Sequence, residues 1–498
     1  MAFTKSPEYN THQLTRVPVT PVNRFDPTRS QAYMAFENCF PVLQGKEAIL
    51  TKRAPINSIA TITGTTPRGL FIDPQSNYIY IAYDDDMTSI NDVSPLLSST
   101  TPGTFSNTSG PVAFASYKVG STSYTVSHEP TAASGSYLRY WVSGNGGIPD
   151  TVTNVAVNNM RGSLVFLDGY LFIAGDSQRI YNSTLGSPTT WNTSTDFIDA
   201  EMFSDNIVAL AKHHNHLVVL GKESVEFFYN SSNEIGSPLS RQANYSQKIG
   251  MVDIAGVRPM LAEVGDVIYF LGGEGGAYNG VYKIENFKVS KISDLWMDDW
   301  LTTASANTPI LSVYEHYGIG CLALSSGLFT FVYKPDTNTW SSVLFGGRSL
   351  YDSVFGNYFG EGGTYLLTYD SNTSNIRLMK SGYREPQSQL EADPEDFDAV
   401  YITDLLDFSS NNQKHIKWVD VVGWFGDNTV NLQYTRNYSN SPTWTNCGTK
   451  DQDTNGTDKP LRYHNLGRTR GHRFKVTFSG ESDIKFDRFE ISYNLGTH

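Results

Sequence analysis

Between Met160 and Ser232 the chain runs twice through one alternation of apolar runs and polar turns. The first pass is Gly162-Ser-Leu-Val-Phe-Leu-Asp-Gly-Tyr-Leu-Phe-Ile-Ala-Gly175, then Gln178-Arg-Ile-Tyr-Asn-Ser183. The second is Ile207-Val-Ala-Leu-Ala-Lys-His-His-Asn-His-Leu-Val-Val-Leu-Gly221, then Ser224-Val-Glu-Phe-Phe-Tyr229. Each pass predicts three antiparallel strands punctuated by tight turns. One such meander leaves an apolar face uncovered, so it calls for neighbours of its own kind. Similar strands begin near Asn77, Ser123, Tyr170, His216, Val267, Gly318 and Thr364, in steps of 46, 47, 46, 51, 51 and 46 residues. An all-strand unit at that period predicts a β-propeller of six or seven blades over residues 61–390.

The flanks read differently. Residues 1–60 hold scattered Pro and Arg, and Val17-Pro-Val-Thr-Pro-Val22 reads as extended chain because X-Pro disfavours helix. The segment is either an arm ordered against something else or a strand that closes the ring. The acidic run Glu391-Ala-Asp-Pro-Glu-Asp-Phe-Asp398 marks a connector. Beyond it, over 396–498, at least five strands alternate apolar with polar, as in Thr429-Val-Asn-Leu-Gln-Tyr434 and Arg473-Phe-Lys-Val-Thr-Phe478, which predicts a β-sandwich. The one helix candidate is Asp294 to Ala306, with Asp294 as cap and Trp296 over Trp300. Ser94 to Gly110, rich in Ser, Thr, Pro and Gly, reads as a long surface loop. Trp191 and Trp340, each after a Pro-containing turn, read as packing between blades.

Composition agrees with strands: 27 Phe, 29 Tyr and 8 Trp, with only 17% charged residues. No apolar run approaches the ~20 residues of a membrane span, and the N-terminus carries no secretory h-region. Cys39, Cys321 and Cys447 stand alone, which argues against a disulfide framework or zinc site and for synthesis in a reducing cytoplasm. A net charge of −13 argues against tight sequence-blind binding of DNA, though not against a passage through which DNA slides.

Catalytic chemistry finds little support. His213-His214-Asn215-His216 fits a turn better than a metal site, since adjacent strand positions face opposite ways. Asp84-Asp85-Asp86 lacks the spaced ligands and Gly of a calcium loop. Ser183 to Trp191 echoes a sialidase-type Ser-x-Asp-x-Gly-x-x-Trp turn without its Asp, and paired carboxylates drawn from several blades stay open. No nucleophile elbow, phosphate loop or cofactor fingerprint occurs, and Gly272-Gly-Glu-Gly-Gly-Ala277 joins two strands. One basic strip stands out: Arg462, His464, Arg468, Arg470, His472, Arg473 and Lys475. It suits an acidic partner or phosphate, with Arg468, Arg470, Arg473 and Lys475 the candidate contacts; ordinary edge charge that discourages strand pairing is the other reading.

The stretch His216-Leu-Val-Val-Leu-Gly-Lys-Glu-Ser-Val-Glu-Phe-Phe-Tyr229, followed by Ser246-Gln-Lys-Ile-Gly250, resembles the tail hub, or nozzle, proteins of short-tailed phages, a family also called packaged-DNA stabilisation or head-closure proteins. Gly221, Glu226, Phe227, Gln247, Lys248 and Gly250 carry the family's motifs, with Ile249 inserted before the glycine. The C-terminal Gly467-Arg-Thr-Arg-Gly-His-Arg-Phe-Lys-Val-Thr-Phe478 and Phe489-Glu-Ile-Ser-Tyr493 also look like the end of such proteins. The resemblance implies a structural virion protein of the tail with no enzymatic residues and no cofactor. It further implies a six-copy ring between a portal-adaptor ring above, spikes or fibres outside and a needle or gate below, retaining packaged double-stranded DNA and passing it at ejection, with no membrane partner. Two other functions remain open, a polysaccharide-cleaving or glycan-binding propeller and a host-cell adhesin.

Overall fold

The structure is a computed structural model that describes residues 12–20, 35–54, 56–61, 66–73, 78–90, 99–105, 108–129, 137–142, 150–152, 161–175, 177–254, 259–273, 279–304, 309–326, 329–344, 350–357, 364–370, 375–379, 397–408, 412–436, 442–452, 459–464, 466–480 and 483–495. The one helix among these residues is Leu295–Ala304; apart from it and one 3-10 turn, the regular elements are strands. Asp168 and Gly169, at φ 50° and 86°, make the two-residue turn that lets Leu164–Leu167 fold back on Tyr170–Ala174.

The chain is an all-β protein containing a β-propeller. Where the spacing predicts six or seven blades, five stand as separate four-stranded sheets. Four are meanders in chain order: Pro67–Ile72 to Ser99–Thr104, Ala113–Val119 to Asp150–Val152, Leu164–Leu167 to Phe197–Asp199, and Ile207–His213 to Leu239–Arg241. The fifth joins Leu350–Asn357, Thr364–Asp370 and Asn375–Met379 to Ile56–Thr61 from the other end of the chain. A five-stranded sheet (Gly250–Met251 to Lys288–Lys291) and the run Ile310–His316 to Thr339–Val343, inside a nine-stranded sheet, carry similar meanders. Successive meanders touch in turn, mostly through their first strands, and Leu350–Asn357 lies against Pro67–Ile72. The strands that set the spacing are the second strands, such as His216–Gly221 and Val267–Gly273, whose residues are buried almost end to end. Both faces of such a sheet are covered by its neighbours, so alternation disappears there.

The remaining strands form two larger sheets. Cys39–Gln44, Glu47–Lys52, Lys485–Leu495, Lys414–Trp424 and Leu461–His464 follow one another in a seven-stranded sheet, with His12–Pro18 and Arg468–Thr469 also paired into it. In the nine-stranded sheet Thr339–Val343 pairs in parallel with Phe36–Glu37, which leads on to Ala399–Ile402, Arg473–Ser479, Thr429–Thr435 and Thr445–Asp451. Inward side chains of both sheets share one core, including Phe36, Leu50, Tyr401, Val421, Leu432, Val476 and Phe489.

Residues 1–60 are therefore not one element. Their described strands go to both large sheets and, through Ile56–Thr61, to the propeller. A unit confined to 396–498 is corrected likewise, because Leu50 pairs with Phe486 and Phe36 with Tyr401. The acidic connector, up to residue 396, lies outside the described residues. The expected Ser94–Gly110 loop contains a strand, Ser99–Thr104, the outer strand of its sheet. The helix does begin on a cap, with Met297 N–H donating to Asp294 Oδ1 at 2.9 Å, but Trp296 and Trp300 each meet the Phe331 ring edge-on instead of stacking on one another.

Candidate functional site

Two of the six motif residues, Gly221 and Gly250, fit around one turn, Lys222–Ser224, between neighbouring sheets, and Gln247 pairs just beyond it at Val225. Gly221 ends the second strand of its sheet, and a Cβ there would lie 2.2 Å from Asp205 Oδ2. That gap admits the Asp205 carboxylate, which accepts from Glu223 N–H (2.7 Å), Ser224 N–H (3.1 Å) and Ser224 Oγ–H (2.9 Å). From the next sheet Gly250 presses on the same turn, where a Cβ would stand 1.8 Å from Lys222 O. Gln247 exchanges backbone hydrogen bonds with Val225 (2.9 and 3.0 Å). Its side-chain amide reaches on, donating to Phe287 O (3.1 Å) and accepting from Val289 N–H (3.1 Å). Phe227 is fully buried and meets Tyr245 and Phe287 edge-on. Ile249 adds a half-buried contact to this core.

Glu226 and Lys248 stand apart from the turn. Glu226 lies beside Arg241 (2.8 Å), and its carboxyl is held above the usual range by burial, against the pull of that guanidinium. Lys248 is exposed. Lys222 and Arg161 share the Asp253 carboxylate at 2.9 and 3.1 Å, linking three successive sheets. Asp205, Asp253 and Phe287 carry no local signature, since their partners lie 18 to 92 residues away. All of this is joinery between sheets.

The histidine cluster is joinery too. His213 bridges to the next sheet, with Nδ1 2.8 Å from Asp266 O and Nε2 accepting from Phe287 N–H at 3.3 Å. His214 occupies the turn at φ 51°. Burial, then His214, lowers the pKa of His213. Trp191 donates its indole N–H to Pro188 O (2.9 Å) within its own loop and packs on the core of two adjacent sheets. Trp340 donates across to Ile292 O (3.3 Å) of the preceding sheet.

The basic strip does not survive as one surface. His472 is fully buried, and its ring stacks on Phe474. Arg473 and Lys475 lie half-buried on the nine-stranded sheet, whereas Arg462, His464 and Arg468 pair with Lys414–Trp424 in the seven-stranded one. Arg462 holds Asp420 with two hydrogen bonds of 2.8 Å and covers the Trp418 ring. Exposed Arg468 and Arg470 remain, and the register adds what the sequence did not show. His415 pairs with Arg468, and the alternation of Lys414–Trp424 turns His415 and Lys417 outward. Among the described residues Lys417, Arg468 and Arg470 make no ion pair. They form a basic patch on the seven-stranded sheet.

The model of a family described as "Bacteriophage P22 Gp10, beta-propeller" matches residues 105–318, under half of the chain. That span includes all six motif residues. The match supports a phage structural protein, tail-associated and consistent with a virion component. No curated protein matches by sequence. Among solved structures the chain is similar to Raptor of Chaetomium thermophilum (14% identity, TM-score 0.41), covering 68% of this chain but only 30% of Raptor. It is also similar to the Neurospora crassa Pan2 WD40 domain (8%, TM-score 0.43, covering 67% and 96%) and to the Myceliophteria thermophila Cps50 (Swd1) β-propeller domain (10%, TM-score 0.43, covering 65% and 99%). Likeness at this level says nothing of function.

Proposed function

We propose that this chain is the hub, or nozzle, of a short phage tail, and that it does no bond chemistry. In this reading the propeller has seven blades, the five separate sheets plus the two further meanders, and the two large sheets form a sandwich. Six copies close a ring that joins a portal-side adaptor to spikes or fibres, retains packaged DNA and passes it at ejection. The observation that carries the reading is the phage-propeller match over 105–318, which takes in the whole inter-sheet fitting around Lys222–Ser224.

Packing bears on where DNA would pass. Pro111, Gly162 and Pro259 each lead into a strand of a different sheet, and a Cβ on Gly162 would lie 3.2 Å from Pro259 and 3.6 Å from Pro111. In this reading segments from three sheets meet inside the propeller and the conduit lies between copies. The glycan-cleaving reading gains no support from Trp191, which serves its own loop and the core. Electron microscopy of tail particles with this chain labelled tests the proposal. A ring of density below the portal is expected. Label confined to fibre tips, or a purified chain that cleaves host-surface glycan, would overturn it.

A further inference from the structure

Two neighbouring loops repeat one another. Thr184-Leu-Gly-Ser-Pro188 and Glu234-Ile-Gly-Ser-Pro238 each join the third strand of a sheet to its fourth, in consecutive sheets. In both, a glycine in the left-handed region (Gly186, φ 71°; Gly236, φ 79°) follows the aliphatic residue, and the proline after it is buried. The shared turn throws the aliphatic side chain outward: Leu185 is 60% exposed and Ile235 91%. The loops abut, since a Cβ on Gly236 would sit 3.5 Å from Thr195 O. A lone exposed aliphatic residue needs no explanation. The same tip built twice, side by side, with identical turn chemistry, does. The charged residues of the two loops, Asp196 and Glu234, are acidic, as is Asp168 in the turn against which Leu185 lies, and 183–196 and 231–238 hold no Lys or Arg.

We propose that these twin tips dock on the basic patch of His415, Lys417, Arg468 and Arg470 of a second copy. The inference rests on the ring reading and names its subunit contact. Charge complementarity selects the occupant: the tips carry unopposed acids, and the patch carries cations without ion-pair partners among the described residues. The two surfaces differ, so the contact is head-to-tail, the kind that closes a ring.

The test measures incorporation of the purified full chain into particles of its phage that lack it. Leu185→Ser with Ile235→Ser is expected to weaken incorporation about tenfold or more, with melting little changed because both side chains are mostly exposed. Glu234→Lys and the pair Arg468→Glu with Arg470→Glu should each weaken it, and combining the reversals should restore part of the loss. If the serine variant incorporates like wild type into normal rings, the contact is wrong and the ring stands. If wild type incorporates without forming a ring, both fall. If Arg468→Glu with Arg470→Glu assembles normally but loses affinity for duplex DNA, the patch serves phosphate and the proposal is overturned.

Discussion

The second strands of the propeller sheets and the strands of the two large sheets bury their residues in different ways. His216–Gly221 is buried from Leu217 onward, whereas Arg473–Ser479 alternates half-buried with buried along its whole length. A propeller sheet has a neighbour on each face, while the large sheets share one core and turn their other face outward. Their connectivity differs too. Most propeller strands pair with the strand next along the chain, but Lys485–Leu495 pairs with Lys414–Trp424, Glu47–Lys52 and His12–Pro18. The first region is assembled locally, and the second requires both ends of the chain together. The lesson is that the two regions should fail differently: the propeller when sheets are forced apart, the large sheets when distant segments lose their ties.

Acid should weaken both, and most strongly. Burial pushes His128 in a propeller sheet and His316 in the nine-stranded sheet down to about 3, and His472 beside the core that the two large sheets share to about 4. Because these folded values lie below the ordinary 6.5, the unfolded chain binds the extra protons, and stability falls as pH drops from about 6.5 towards the folded values. Each histidine contributes up to about 1.4 kcal/mol per pH unit across that window. Urea titrations between pH 7 and 4.5 should show the loss, and His472→Asn should flatten it by one histidine's share. A midpoint independent of pH would contradict the burial of all three.

Gly250→Ala is the next largest effect, about 3 kcal/mol or outright misfolding, because the added methyl meets the Lys222 carbonyl. Lys52→Ala should cost about 2–3 kcal/mol at the junction. It removes the buried ammonium that donates to Asn428 Oδ1 (2.7 Å) and Gly480 O (2.5 Å). Hydrogen exchange should show its loosening centred on the large sheets, whereas that of Gly250→Ala centres on the propeller. Gln247→Ala should cost about 1–2 kcal/mol, since Val289 N–H and Phe287 O lose their bridge between sheets. Smallest is Lys248→Ala: the side chain is exposed, and a change within about 0.5 kcal/mol is expected in the same denaturation assay.

The motif residues show how far sequence reasoning reaches. Gly221 and Gly250 stood out as glycines beside strands, yet what they make room for, Asp205 and the Lys222 carbonyl, is invisible without the fold. The basic strip was legible as composition and misleading as a surface. Adjacent sequence positions went to two sheets, one histidine into a core, and Arg462 to Asp420. Its outward members gained His415 and Lys417 from a strand more than 50 residues earlier.

By itself the sequence determined the all-strand class, the repeat of roughly four dozen residues and the positions of the second strands, because strand spacing, turn residues and apolar runs act over a few residues. Only the tertiary structure decided that the first sixty residues serve three sheets, that Gln247 clasps two neighbours and that Lys417 shares a patch with Arg468. Those outcomes depend on pairings across tens to hundreds of residues, where many registers satisfy the local pattern and burial of the shared core selects one.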